Sequence, residues 1–201
     1  MPRGGPSIYK ERNWIPQIGI YLASNHVKNT KVIAERFGNL EVKKAENDII
    51  KMLQIIAHDL NRLAVRLTAG IPTIYADIGI EKMIPLPLMG DGIARLLRIA
   101  LAITDASKGI VLIDEIENGL HYTIMKNVWK AIAYIARKYS CQVFATTHSR
   151  ECIQAAHEAF TEDKKYDFLL HRLELLEGEI NNVVYDQEPL EAVVKAKFEV
   201  R

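Results

Sequence analysis

The chain predicts an α/β fold built on a parallel sheet, and three observations carry that prediction. Short runs rich in Ile and Val, Ile110–Ile113 above all, are bounded by turns and read as strands buried on both faces. Strands and amphipathic helices alternate with short loops from 108 to 173, an order that goes with parallel strands and right-handed crossovers. Polar and acidic residues gather where the runs end, at Asp114-Glu115 and Thr147-His148-Ser149. Open α/β sheets place their ligands at the carboxyl ends of the strands.

The totals set outer bounds. A chain of 201 residues is long enough for one substantial core, or one core with an appendage. Hydrophobic residues at 49% and charged residues at 25% are ordinary globular values, and a net charge of +1 gives no global argument for a nucleic-acid or membrane surface. Cys141 and Cys152 lack metal-ligand spacing and suit a reducing compartment. The start Met1-Pro2-Arg3-Gly4-Gly5-Pro6 has no apolar core of a secretory signal. No run reaches the roughly 18 apolar residues of a membrane span. The expectation is a soluble cytoplasmic protein with no membrane partner.

The elements follow in order. Residues 1–13 read as a loose end, and 18–22 as a buried strand, giving an N-terminal segment and strand over 1–25. Apolar residues at Ile49, Ile50, Leu53, Ile56, Ala57, Leu60, Leu63, Ala64 and Leu67 predict one amphipathic helix over 47–67, stopped by Gly70-Ile71-Pro72. It either covers the sheet or forms a helical arm or lid over 26–70. Two strands are expected over 73–78 and 82–86, the second ended by Pro85 and Pro87. The loop Leu88-Met89-Gly90-Asp91-Gly92 leads into a buried helix over 93–103. After the strand at 110–113 come a helix over 122–139, a buried strand over 141–146 and a helix over 150–160. Strands over 168–173 and 180–185, joined through Glu177-Gly178, and a helix over 188–198 close the chain.

Three constellations can carry chemistry. Four aliphatic residues followed by Asp114-Glu115 fit a strand whose first acid holds Mg²⁺ and whose second polarises a water; they equally fit solvated charges after a core strand. Gly90-Asp91-Gly92 before a helix can offer backbone N–H groups to an anion; a plain turn with Asp91 as the helix cap is the simpler reading. His148 at a strand's end can donate to a γ-phosphate; it can also be a surface loop residue.

Taken together and in this order, these blocks resemble a known family. Leu88-Met89-Gly90-Asp91-Gly92, Ile110-Val111-Leu112-Ile113-Asp114-Glu115, Asn118-Gly119-Leu120-His121 and Ala145-Thr146-Thr147-His148-Ser149 resemble the carboxyl-terminal half of ABC-type P-loop ATPases. The likeness is to bacterial AAA-family ATP-binding proteins related to the OLD, RecF and SMC ATPases, over roughly 72–200. It implies a P-loop NTPase-like three-layer parallel sheet, with 71–201 as the carboxyl-terminal lobe and 26–70 where these families insert an arm or lid. It implies ATP and Mg²⁺ as cofactors. Gly90 and Gly92 match the signature loop that contacts ATP held by the opposite subunit, with Asp91 between them. Asp114 matches the Mg²⁺ aspartate, Glu115 the catalytic glutamate and His148 the switch histidine. Asn118 to His121 match the D-loop, which crosses a dimer interface. The implied partners are a second copy or a lobe bearing the Walker A motif, with DNA or a nuclease beyond it, in DNA repair or phage defence.

Two departures stand against the pattern. The Ser usual beside the signature glycine is replaced by Met89 or Asp91, and an Asp beside phosphate is repulsive unless it points away. No Gly-x-x-x-x-Gly-Lys-Ser/Thr occurs in the 201 residues. A fragment of a longer ATPase, a split protein and a degenerate scaffold each account for this; the motifs after position 88 favour the first two. The competing function is a non-catalytic dimerisation module. A metal-dependent nuclease of the Toprim kind would need a further acidic cluster that the sequence does not offer.

Overall fold

The computed structural model describes residues 18–24, 30–176 and 178–195. The loose end expected over 1–13, and the last residues of the closing helix, lie outside the described residues. Three parallel strands, β1 (Gly19–Leu22), β5 (Ile110–Ile113) and β6 (Gln142–Ala145), form a sheet in the order β1-β5-β6. Leu22 pairs with Ile113, which pairs with Ala145, so all three strands end at one edge. The connection from β5 to β6 runs through α4 (Met125–Lys138). Helix α3 (Asp91–Asp105) packs on β1 and β5 and is nearly all apolar inside, from Ile93 to Ile103.

A second, antiparallel sheet holds β2 (Arg62–Thr68), β3 (Ile71–Asp77) and the two-residue β4 (Ile84–Pro85). Helix α1 (Thr30–Val42) sits between this sheet and α3, and α2 (Glu46–Leu53) packs on α3 and α4. Their Phe37, Leu40, Ile49, Met52 and Leu53 belong to the same core cluster as Val111, Ile113 and Ile132. Lys138 donates to Asp48 at 2.6 Å and ties α4 to α2. Helix α5 (Arg150–Thr161) lies beside α4, and α6 (Gln187–Lys195) beside α5.

Three expectations are corrected. The helix over 47–67 stops at Leu53, and 62–68 is a strand. Leu63, Val65 and Leu67 alternate as well as they repeat at helical spacing, so periodicity alone could not decide. The helix closes in turns over 54–56, where Ile55 N donates to Met52 O and Ile56 N to Leu53 O, and Asn61 N–H donates to Asp77 O at the start of the ladder. At the other end Ala69 and Gly70, with φ 49° and 79°, make a tight two-residue hairpin where a helix stop was expected. Residues 30–53 therefore pack as two helices in the core rather than projecting.

The second correction concerns the strand at 168–173. It is β7 (Leu170–Leu176), and it pairs antiparallel with β8 (Glu179–Tyr185), outside the parallel sheet. The third concerns burial. β5 and β6 were expected to be covered on both faces, but Tyr21, Leu112 and Phe144, cross-strand neighbours in one row, are 58%, 45% and 48% exposed. The helices found among the described residues cover only the Leu22, Val111 and Ile113 face.

Candidate functional site

The site forms where β5 and β6 end side by side. Beyond Ile113 the backbone turns sharply, and Glu115 adopts a left-handed φ of 46°. For a residue with a Cβ this conformation costs on the order of 1–3 kcal/mol and persists only where neighbours hold it. The neighbours here are identifiable. Thr146 Oγ1 donates to Asp114 Oδ1 at 2.8 Å and accepts from Glu115 N at 2.9 Å. Thr146 O accepts from Ile116 N at 3.0 Å, and Ile116 is fully buried as the plug of the turn. One threonine thus links the carboxylate of Asp114 to the backbone of Glu115.

The Thr146 hydroxyl is also the main reason the Asp114 carboxyl sits below the usual carboxylate range, with Ser24 at the end of β1 adding hydrogen bonds and Arg95 a positive charge. Asp114 is therefore an anion at neutral pH. Its surroundings offer carboxylate and hydroxyl oxygens, the hard donors that Mg²⁺ takes when it keeps waters and phosphate oxygens as its other ligands. The residues fit that ion. Among the described residues no group of three or more His, Cys, Asp or Glu side chains could hold a metal by itself, which removes the acidic cluster a Toprim-type site would need there.

Glu117 lies one step further along the turn. Its Oε1 accepts from His148 N at 3.0 Å, so the loop after β6 is pinned to the loop after β5. Its other oxygen, Oε2, is buried without a hydrogen-bond partner. His148 itself is exposed at the rim. Ser149 caps α5 by accepting from Cys152 N at 3.1 Å, which fixes where the loop ends.

The glycine loop reaches the same edge from the α3 side. Gly90 takes φ 103° and precedes the helix, a conformation that suits only glycine. A Cβ on Gly92 would meet Gly119 O at 2.8 Å, so the 90–92 and 118–121 loops are in backbone contact. No side chain caps α3: Asp91 stands in its first turn rather than supplying the cap. Asn118 Nδ2 donates to Ser24 O at 3.4 Å. His121 is turned into its own loop, paired with Thr123 Oγ1 at 2.9 Å and tilted against Tyr122.

The structure thus joins Asp114 and Glu115 to Thr146, links the His148 backbone to Glu117, and sets Asp91 and Gly92 against Gly119. Three contributors escaped the sequence reading. Thr146 was visible as part of Thr-Thr-His, but its bridging needs the β5–β6 register. Glu117 was visible inside the Asp-Glu-Ile-Glu block without a role. Arg95, only 2% exposed and donating to Asp114 O at 2.6 Å, carried no local signal beyond being a charge inside an apolar helix. Neither cysteine takes part: both are buried thiols, and burial pushes Cys152 up to about 11.

Comparison with known proteins bears on the family and the fold. A protein from Helicobacter pylori (strain ATCC 700392 / 26695), described as an ATP/GTP phosphatase, is 36% identical over 86 residues, covering 41% of this chain. The chain spans only 23% of that relative's length. A solved structure concerned with ATP-driven dimerization and DNA stimulated activation of SMC ATPases superposes with a TM-score of 0.52 at 15% identity, covering 81% of this chain and 96% of the other. An SmcHead bound to the C-winged helix domain of ScpA gives 0.53 at 14% identity, covering 84% and 53%. At such identities the likeness establishes the fold alone, a P-loop NTPase-like arrangement resembling that of SMC heads. Residues 7–152, well over half of the chain, match the family described as AAA domain, putative AbiEii toxin, Type IV TA system, and the chain belongs to that family.

Proposed function

We propose that this chain carries the Mg²⁺-binding and water-activating part of an ATP-hydrolysing site and works with a P-loop supplied by another segment or chain. The observation that carries the reading is the Thr146 hydroxyl joining the Asp114 carboxylate to the strained backbone of Glu115. Such strain is held in place where a side chain must be aimed. Asp114 holds Mg²⁺, which when bound neutralises charge on the β- and γ-phosphates. Glu115 accepts the proton of an attacking water and orients it. His148 donates to a γ-phosphate oxygen, and the backbone N–H groups of Gly90 to Gly92 face phosphate across a dimer interface to which Asn118 and His121 contribute. Asp91 stands in the first turn of α3, and its charge favours Arg98 along the helix. That gives the carboxylate a cationic neighbour within the chain, which offsets its repulsion of a phosphate.

The open face of the parallel sheet supports the need for another lobe. Parallel strands are ordinarily covered on both sides, and Tyr21, Leu112 and Phe144 leave an apolar row for a layer that carries the P-loop. We place the protein in the cytoplasm, acting on DNA or with a nuclease in repair or phage defence. No helix among the described residues is long and apolar enough to cross a membrane.

The test is phosphate release from the chain combined with its P-loop-bearing lobe, sought in frame upstream or in a neighbouring gene. Glu115→Gln should lower kcat by about 10²–10⁴-fold while ATP binding persists. Unchanged hydrolysis in that variant removes the catalytic role. Absence of any phosphate release, with self-association retained, favours the non-catalytic dimerisation module instead.

A further inference from the structure

We propose that Arg95 is a positioning residue that ties the glycine-bearing loop to the water-activating carboxylate, by clamping the two carbonyls that flank the Glu115 residue. Its function in turnover rests on the ATPase reading above; the clamp itself does not.

Arg95 stands on the first turns of α3, just behind Gly90 and Gly92. Its guanidinium donates to three carbonyls: Ala23 O at 3.2 Å, Asp114 O at 2.6 Å and Glu115 O at 3.2 Å. A buried cation is expensive unless its donors are satisfied, and here the partners are carbonyls rather than a carboxylate. Burial disfavours the charge, and the nearby carboxylates of Asp114, Glu115 and Glu117 favour it. Nη2 donates to both adjacent carbonyls while Nη1 reaches Ala23 O, so the planar fork spans the ends of β1 and β5, a spread that the point charge of an ammonium does not match. The two adjacent carbonyls flank the residue with φ 46°. Arg95 holds the Glu115 carbonyl while Thr146 holds its N–H, and the left-handed turn is fixed from both sides. Arg95 Nε is buried without a hydrogen-bond partner, so the three carbonyl bonds are made by Nη1 and Nη2.

The consequence is mechanical. Any shift of the start of α3, as an anion settles on the Gly90–Gly92 backbone, moves the fork and with it the carbonyls that aim Glu115. The Gly92–Gly119 backbone contact gives the same helix start a second hold on the loop.

Hydrogen exchange tests the clamp in the full chain without nucleotide, and turnover tests its use. In Arg95→Gln, and in Arg95→Lys should the neutral variant not fold, amides of residues 114–118 should exchange at least tenfold faster while those of 111–113 and 128–135 keep their protection. With the P-loop lobe present, kcat should fall at least tenfold with KM for ATP within twofold. Arg95→Lys keeps the charge and should fail as Gln does, because the fork is what it lacks. Unchanged exchange at 114–118, or a uniform loss of protection over the whole chain, overturns the proposal. A loosened turn with unchanged kcat overturns the tie to Glu115. A loosened turn in a system whose unaltered protein releases no phosphate upholds the clamp and overturns the ATPase reading instead.

Discussion

The two faces of the parallel sheet use the same three strands differently. Leu22, Val111 and Ile113 are buried under α3 and the core. Tyr21, Leu112 and Phe144, one residue away along each strand, are about half exposed. Alternation along a strand assigns neighbours to opposite faces, so stability and exposed surface are set by adjacent positions. The covered face fixes where the strands end, and hence where Asp114 stands. The open face presents Tyr21, Leu112 and Phe144 as an exposed apolar row.

Paired substitutions sharpen that contrast most strongly. Ile113→Ala removes a side chain that is almost wholly buried and should destabilise the chain by about 2–5 kcal/mol in urea unfolding. Leu112→Ala, its immediate neighbour, should stay within about 0.5 kcal/mol. Equal losses at both positions would show that the outer face is covered in solution, by a second copy or by residues outside the described ones.

The next effect lies at the edge where the loops meet. Gly92→Ala places a methyl 2.8 Å from the carbonyl oxygen of Gly119, a backbone atom that cannot rotate away. Overpacking of this kind costs about 1–3 kcal/mol, and the 118–121 loop should show it first, as altered amide shifts in NMR spectra. An Ala variant with native stability and native 118–121 resonances would mean that the two loops do not touch.

What was legible in the sequence follows the range of the interactions. The β5 run, its two acids, the helix after the glycine loop and the Ser149 start of α5 depend on near neighbours, and each was readable from them. The stretch 60–67 was not, because Leu60, Leu63, Ala64 and Leu67 satisfy a helix while Leu63, Val65 and Leu67 satisfy a strand; pairing with 71–77 decided it. The exposed outer face was not, because an Ile-Val-Leu-Ile run looks the same with one layer or two. Within the site, the identities of Asp114, Glu115 and His148 could be picked out, but the roles of Thr146, Glu117 and Arg95 depend on contacts 19 to 32 residues apart.

The smallest expected effect concerns the titration of Asp114. Its carboxyl is held below the usual range chiefly by the Thr146 hydroxyl. A carboxyl whose folded pKa is depressed favours the folded state above its unfolded pKa, roughly 3.9. That contribution is lost as pH falls through the folded value. Thr146→Val removes the hydroxyl and nearly keeps the volume, so Asp114 should titrate closer to the ordinary aspartate value in carbon-detected NMR. The pH dependence of stability below about 4 should flatten accordingly. The Glu115 N–H loses its acceptor in the same variant. Amide exchange at Glu115 should therefore rise even at neutral pH, where Asp114 is ionised in both proteins. If Asp114 titrates unchanged in the valine variant, Ser24 and Arg95 hold the charge and the threonine serves only the backbone. If neither signal moves, the Thr146 side chain does not brace the turn, which is then held by the Ile116–Thr146 backbone bond, the His148–Glu117 bond and Arg95.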